Sequence, residues 1–193
     1  MGRRDSHEAN LLSVPATAKH AIHGHMDTNP PPAIIFEPLH DSVTAPHRAT
    51  TGAAGYDVRA DLLGRTVRVW RDGTELSEPA DTTGTLSLEP NDVALVPLGF
   101  RARLPAGYEA QVRLRSSIAF RRGLMLPNAP GTIDADYPDE WLVMVRNVSA
   151  TRVTIAHGER IAQIILHRYA TLEWTAGAVT RSTDRSGGIG STG

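Results

Sequence analysis

The sequence contains no cysteine among its 193 residues. That absence excludes disulfide frameworks, thiol nucleophiles and zinc sites built from cysteine ligands, and it fits a reducing compartment. The sequence also lacks any apolar run near the ~20 residues that a membrane-spanning helix needs. We therefore expect a cytoplasmic protein without a membrane partner.

A strong charge of either sign is missing as well. The 20 Lys and Arg residues nearly balance the 21 Asp and Glu residues, which leaves a formal net charge of -1. Such a chain has no electrostatic basis for wrapping a nucleic-acid polymer, although a small anionic ligand remains compatible with it. With 40% hydrophobic residues, this length suits one globular domain with a sizeable core.

Residues 1–32 do not have the pattern of a folded element. They show neither a period of two nor one of 3.6, and they end in three prolines. His20, His23 and His25 lie close together here, but a flexible His-rich tract is more often solvated than metal-bound. We expect a disordered N-terminal extension.

From residue 33 onward the sequence changes character. Short runs such as "TVRVW", "VALVPLGFRARL" and "RVTIAHGERIAQIIL" are separated by Gly, Pro, Asn and Asp. This spacing predicts an all-β barrel or sandwich over residues 33–180. Within residues 62–84, "RDG" predicts the turn of a hairpin, because Asp and Gly accept positive φ values.

One stretch predicts a helical turn beside a cation. In "RLRSSIAFRRGL", Ser116 and Ser117 are N-cap candidates and Gly123 is the expected stop. Arg115, the Ser116 hydroxyl and the free N–H groups of the helix would converge as in an anion site. The alternative is that the serine pair only caps the helix.

A second stretch, "LPNAPGTIDADYPDEWLVMVRN", predicts a polar hairpin flanked by Gly131 and Pro138. A carboxylate on it could act as a general base, and an amide with an aromatic ring could bind a base and a sugar. The alternative is a solvated polar turn. The candidate residues are Asn128, Asp134, Asp136 and Tyr137.

Three further stretches are not explained by strand formation alone. In "ATTGAAGYDVRA", Gly55 permits a close approach and Asp57 begins a strand, although an ordinary turn aspartate fits equally well. In "HGERIAQIIL", Gln163 lies among apolar neighbours and needs hydrogen-bond partners. The last, "RSGGIGSTG" after Asp184, begins with Arg185 and is dense in glycine, as in loops that approach phosphates or as in a frayed end.

Taken in order, the five stretches resemble the five motifs of the trimeric dUTPase family (deoxyuridine 5'-triphosphate nucleotidohydrolase) over residues 34–193. The resemblance implies a homotrimer of jelly-roll-like β-barrels, with each active site assembled from three chains. It implies Mg²⁺ held mainly by the substrate triphosphate. It also implies an enzyme that limits uracil in DNA and supplies dUMP for dTMP synthesis.

The resemblance assigns roles to individual residues. Asp134 would orient and deprotonate the water that attacks the α-phosphorus of dUTP, releasing dUMP and pyrophosphate. Tyr137 would pack on the deoxyribose. Asn128 would read the uracil edge together with the backbone of Gly131 and Ile133.

The same resemblance assigns the phosphate and metal contacts. Arg115, Ser116 and the N–H of Ser117 would hold phosphate oxygens. Asp57, acting through water on Mg²⁺, and Gln163 would meet the metal-bound waters and the α-phosphate. Residues 181–193 would form a flexible glycine-rich lid that contacts substrate through Arg185, Gly188, Ile189 and Gly190.

The sequence departs from the family pattern in a few places. Ser117 and Asp139 stand where glycine is usual, and Leu114 replaces a proline. Ile189 replaces the phenylalanine that stacks on uracil. The spacing after Arg185 is one residue short, which makes Arg181 an alternative phosphate contact, and residues 62–84 are longer than the usual link.

Two other functions fit parts of this pattern. The sister enzyme dCTP deaminase shares the barrel and the "RSS" sequence, but it needs a glutamate where this chain has Met144. A non-catalytic nucleotide-sensing module is the other alternative, and the presence of Asp134 argues against it. A zinc deaminase is excluded because cysteine ligands are absent.

Overall fold

The structure is a computed structural model, and it describes residues 32–183. The expectations for the N-terminal extension and for Arg185, Gly188, Ile189 and Gly190 therefore fall outside the described residues, apart from residue 32. Within the described part, no helix has the length and apolar character needed to cross a membrane.

The described chain consists mainly of short strands, which confirms the all-β prediction. One helix, α1 (Ser116–Arg122), interrupts them. The strands are β1 (Ile35–Pro38), β2 (His47–Arg48), β3 (Tyr56–Arg59), β4 (Thr66–Arg71), β5 (Thr74–Pro79), β6 (Thr85–Leu88), β7 (Val93–Pro97), β8 (Phe100–Arg103), β9 (Tyr108–Leu114), β10 (Leu124–Met125), β11 (Gly131–Ile133), β12 (Leu142–Asn147), β13 (Val153–Ala156) and β14 (Arg160–Arg168).

Most of these strands form two five-stranded sheets. The first sheet has the order β11-β9-β14-β3-β2, and the second has the order β10-β12-β7-β4-β5. Two-stranded pairs, β1 with β8 and β13 with β6, complete the described strands. All of the pairings are antiparallel.

The inner faces of both sheets contribute to the core, because apolar residues occupy alternate positions along the strands. Successive side chains of a strand point to opposite faces, so one face is buried and the other carries the polar residues. Phe100 lies between Phe36 and Trp141, with ring centroids 5.3 and 5.4 Å away. The buried residues of the central strands include Val58, Ala110, Val112 and Ile164 in the first sheet and Val67, Val69, Val96 and Val143 in the second.

Strands β4 and β5 form a hairpin within residues 62–84. Its turn has positive φ at Asp72 (49°) and Gly73 (83°), as the "RDG" sequence predicts. Strand β4 also pairs with β7, and Val67 and Val69 are buried. The hairpin therefore extends the second sheet and contributes to the core.

The start of α1 differs from the prediction. Arg115, with φ -68° and ψ 139°, is the N-cap residue, and it makes no side-chain cap hydrogen bond. Ser116 is the first helical residue, so neither serine is the N-cap. The expected stop is correct, because Gly123 ends the helix in a left-handed conformation with φ 63°.

The polar segment after α1 is not the predicted hairpin. Strand β10 pairs with β12 in the second sheet, whereas β11 pairs with β9 in the first. The chain therefore crosses from one sheet to the other between Met125 and Gly131. The prediction was wrong because strand-forming residues around a turn do not show which strands will pair.

Candidate functional site

A row of polar side chains crosses three strands of the first sheet. Asp57 on β3 is paired with Gln163 on β14, which is paired with Arg113 on β9. Residues directly opposite one another share a face of the sheet. Val58, Val112, Leu114 and Ile164 alternate with this row and are buried or packed on the core, so the row lies on the outer face.

The Asp57 carboxylate is held between two guanidinium groups. Arg160 Nη1 donates to Asp57 Oδ2 at 3.0 Å, and Arg115 Nε lies 3.5 Å from Oδ1. Arg115 Nη1 also donates to the carbonyl of Arg160 at 3.3 Å. We call Asp57, Arg115, Arg160 and Gln163 the Asp57 cluster. With two cations and one carboxylate, it has a net positive charge that favours an anionic ligand.

Gly55 places Gln163 within the Asp57 cluster. A Cβ added to the buried Gly55 would lie 2.1 Å from Gln163 Oε1 and 2.9 Å from its Cδ. No side chain larger than hydrogen fits there unless Gln163 moves. The sequence predicted that Gly55 permits a close approach, and in the structure the group that lies against Gly55 is the side-chain amide of Gln163.

Ser116 and Ser117 lie beside this cluster at the start of α1. Both residues are exposed, and the N–H of Arg115 donates to the carbonyl of Ile161 at 3.1 Å. This bond ties the end of β9 to β14. The two serines thus directly follow Arg115, whose guanidinium contacts Asp57. Their contact with phosphate stays a prediction.

Asp134 follows β11 at the edge of the first sheet. The N–H of Tyr137 donates to the carbonyl of Asp134 at 3.2 Å, which closes a tight turn. We call residues 134–137 the Asp134 turn. Within residues 32–183, the Asp134 side chain makes no hydrogen bond or ion pair, and it is exposed to solvent. Such a carboxylate is available to accept a proton.

The other predicted residues of this segment lie close to β11. A Cβ on the buried Gly131 would lie 3.3 Å from Asn128 Nδ2 and 3.4 Å from Val112 Cβ, so Asn128 packs over this glycine. Ile133 is buried and its backbone pairs with Ala110. The structure brings Asn128, Gly131, Ile133 and the Asp134 turn together at one sheet edge.

The Asp57 cluster and the Asp134 turn do not meet within one chain. Strands β3 and β11 are separated by β14 and β9, which places them about 14 Å apart across the sheet. Along the strands, Ile133 aligns through β9 with Leu166, three residues from Gln163, which adds an offset of about 10 Å. One chain therefore presents the two groups of residues at separate places.

The described residues contain no cluster of three or more His, Asp or Glu side chains that could hold a metal by itself. Mg²⁺ commonly binds one or two carboxylates and completes its coordination with water and substrate phosphates. The donor chemistry around Asp57 fits that mode, since a single carboxylate lies beside guanidinium groups suited to phosphate oxygens.

Sequence reasoning missed Arg160 as a member of the site. Arg160 and Gln163 are three residues apart on β14, so regular alternation would put them on opposite faces. The register shifts between Arg160 and Ala162, which aligns Arg160 with Arg59. This irregularity lets Arg160 reach Asp57, and no residue type in "GERIAQ" predicts it. Arg181 is exposed in the strandless segment 169–183.

Comparisons with known proteins agree on one family. A sequence model described as dUTPase matches residues 79–193. The deoxyuridine 5'-triphosphate nucleotidohydrolase of Desulfotalea psychrophila is 42% identical over 154 residues, which cover 79% of this chain and 89% of that protein. The protein of the same name from Roseobacter denitrificans is 39% identical and covers 79% of this chain and 88% of its own.

Solved structures support the same fold. A dUTPase from Streptococcus mutans matches with a TM-score of 0.55 at 24% identity and covers 72% of this chain and 98% of its own. A dUTPase of phage 80alpha matches with a TM-score of 0.65 at 20% identity and covers 83% of this chain and 98% of its own. The chain belongs to the dUTPase family, with the jelly-roll-like all-β fold expected from its sequence.

Proposed function

We propose that the chain hydrolyses dUTP to dUMP and pyrophosphate. The observation that carries the proposal is the exposed carboxylate of Asp134, which has no side-chain partner among residues 32–183, in a chain that also presents the positively charged Asp57 cluster. The curated relatives carry the name of this activity. Cytoplasmic location stays a prediction, as does the lack of nucleic-acid polymer and membrane partners.

In this proposal, Asp134 accepts the proton of the water that attacks the α-phosphorus. Its exposed position at the end of β11 leaves room for a water and a phosphate. Tyr137 packs on the deoxyribose and excludes a 2'-hydroxyl, while Asn128 and the backbone of Gly131 and Ile133 contact uracil. Positioning of this kind supplies much of the acceleration in phosphoryl chemistry.

The phosphates bind at the Asp57 cluster and the start of α1. Arg115, Ser116 and the N–H of Ser117 contact phosphate oxygens, and Gln163 contacts the α-phosphate. Bound Mg²⁺ would neutralise phosphate charge, with Asp57 holding it through water. A solved dUTPase from phage phi11, 18% identical to this chain, coordinates a structural Mg(II) ion, which is a different role from the substrate-bound Mg²⁺ proposed here.

We propose a homotrimer in which different chains contribute the Asp57 cluster and the Asp134 turn to one site. The separation of these groups within one chain supports the proposal. Residues 181–193 would close over the triphosphate from a further chain, through Arg185 and the backbone of Gly188, Ile189 and Gly190. These tail positions lie outside the described residues, except for 181–183.

The test of the activity is to incubate the protein with Mg²⁺ and dUTP, dCTP, dTTP or UTP and to identify the products. Release of dUMP and pyrophosphate from dUTP alone supports the proposal. Ammonia and dUTP from dCTP would instead indicate a deaminase, for which the outward-facing Met144 offers no proton-transfer group. Binding without turnover would indicate a sensing module.

The test of shared sites is subunit mixing. Inactive Asp134→Asn chains and inactive Asp57→Asn chains should regain activity after verified subunit exchange, with about a quarter of the sites intact in randomly mixed trimers. If each site were built within one chain, mixing would restore nothing.

A further inference from the structure

Arg65 lies at the root of the β4–β5 hairpin, outside the five motif stretches. Its N–H donates to the carbonyl of Leu62 at 3.1 Å, and its carbonyl accepts from the N–H of Ala80 at 3.0 Å. The backbone of Arg65 is thus bonded both to the loop that precedes β4 and to the residue that follows β5. The Arg65 side chain therefore extends from a backbone that two hydrogen bonds hold in place.

The guanidinium of Arg65 connects two carboxylates. Nη1 donates to Asp61 Oδ2 at 2.8 Å, and Nη2 donates to Glu140 Oε2 at 2.6 Å. The side chains of Asp61 and Glu140 are 5% and 18% exposed, so water screens these charge-assisted bonds only partly. Arg65 therefore ties the end of β3 firmly to Glu140.

Glu140 follows the Asp134 turn, and its other contacts bear on that turn. Its Oε1 accepts from the N–H of Gly99 at 2.8 Å, so both carboxylate oxygens are held. Its carbonyl accepts from the Tyr137 hydroxyl at 3.4 Å. The position of Glu140 thus sets the hydrogen bond that the Tyr137 side chain makes among residues 32–183.

We propose that Arg65 is a positioning residue that acts through Glu140 on the Asp134 turn. The turn is held on one side by the pairing of β11 with β9 and on the other by Glu140 and the following strand. Loss of Arg65 leaves the Glu140 carboxylate with only the hydrogen bond from Gly99 and loosens the second side of the turn. This inference rests on the proposed roles of Asp134 and Tyr137.

The β4–β5 hairpin offers a matched control for a purely structural role. Arg71 donates to Asp92 Oδ1 and Oδ2 at 2.8 and 2.7 Å and to Glu78 Oε1 at 2.8 Å. Its side chain is 29% exposed, against 28% for Arg65. Both arginines connect two carboxylates, but Arg71 has no bond to Glu140.

The experiment compares steady-state dUTP and UTP hydrolysis and melting temperature for wild type, Arg65→Met and Arg71→Met. Both variants should melt at lower temperature. At temperatures below the melting transition, the kcat of Arg65→Met should be lower than that of wild type by roughly 10-fold or more, because small misplacements of reacting groups slow the reaction strongly. Its ratio of kcat/KM for dUTP over UTP should also fall. Arg71→Met should keep the wild-type kcat and discrimination.

Two further variants test the route through Glu140. Arg65→Lys should recover part of kcat, because lysine keeps the charge but lacks the planar fork that joins two carboxylates. Adding Glu140→Gln to Arg65→Met should lower kcat little beyond either single change. If the fold-losses in kcat of the two single variants multiply in the double variant, Arg65 does not act through Glu140.

Unchanged kcat and discrimination in folded Arg65→Met would overturn the proposal and leave Arg65 a structural residue. If Arg65→Met does not fold, the kinetics of Arg65→Lys and Glu140→Gln test the proposal instead. Wild-type kcat and discrimination in both of these variants would overturn the proposal. Failure of the proposed function is a different result, because the wild-type protein itself would then release no dUMP and pyrophosphate.

Discussion

The Asp57 cluster and the Asp134 turn are built in different ways. Three paired strands and two guanidinium contacts hold the cluster, and its carboxylate side chain is only 11% exposed. The turn follows an edge strand and presents Asp134 without a side-chain partner among residues 32–183. The proposed phosphate-binding residues are therefore held in place by ion pairs and strand pairing. The proposed general base, Asp134, depends instead on how a short loop is held at its two ends.

The largest expected effect comes from the turn. Asp134→Asn keeps the shape of the side chain and removes the base, so kcat should fall by roughly 10²–10⁴-fold while a non-hydrolysable dUTP analogue still binds. Steady-state kinetics and calorimetry measure the two quantities. Asp136→Asn is the neighbouring control and should cost far less, and equal losses in both would remove the special role of Asp134.

A smaller effect should come from the aromatic ring of the same turn. Tyr137→Ala opens space at the sugar, so the ratio of kcat/KM for dUTP over UTP should fall by roughly 10-fold. Tyr137→Phe keeps the ring and loses the 3.4 Å bond to Glu140, so its ratio should fall less than that of Tyr137→Ala. An unchanged ratio in Tyr137→Ala would contradict sugar exclusion by this residue.

A substitution in the Asp57 cluster should weaken substrate binding and so change KM. In Gly55→Ala the new methyl group displaces the Gln163 amide, and losing one ligand hydrogen bond should raise KM by about 3- to 10-fold. Gly52→Ala is the matched control, since nothing lies within 4 Å of a Cβ at Gly52. Equal KM values in the two variants would show that Gln163 does not contact substrate.

The smallest effect should come from a carboxylate outside both regions. Hydrogen bonds from the Thr83 hydroxyl and from the backbone N–H groups of Thr85 and Thr83 lower the pKa of Asp81 below its usual 3.8. Its stabilising contribution is therefore present above pH 3.8 and is lost as pH falls through the lowered pKa. Asp81→Asn should melt below wild type at pH 7, with the gap closing in acid and kcat unchanged.

Melting curves across the pH range measure that gap. A gap that stays constant down to the lowest pH at which the protein is folded would mean that the charge of Asp81 is not what stabilises the turn. A change in kcat would mean that the turn at residues 81–85 affects the site, for which its hydrogen bond from the N–H of His157 to the carbonyl of Gly84 is the nearest route.

Local chemistry in the sequence was enough to predict much of the fold. Alternating apolar residues predicted the strands, and the Asp72-Gly73 pair predicted the turn between β4 and β5, because both depend on neighbouring residues only. Gly123 likewise ended α1 as expected. The motif residues Asp57, Gln163 and Asp134 were identified from the family resemblance, which depends on residue type and order.

Tertiary structure decided the contacts between distant segments. Strand β11 pairs with β9 rather than forming a hairpin, and a register shift in β14 brings Arg160 to Asp57. Arg65 and Glu140 are 75 residues apart in the chain, yet their side chains form an ion pair. Such contacts depend on which strands pair and in which register, and many registers satisfy the same local pattern of apolar and polar residues.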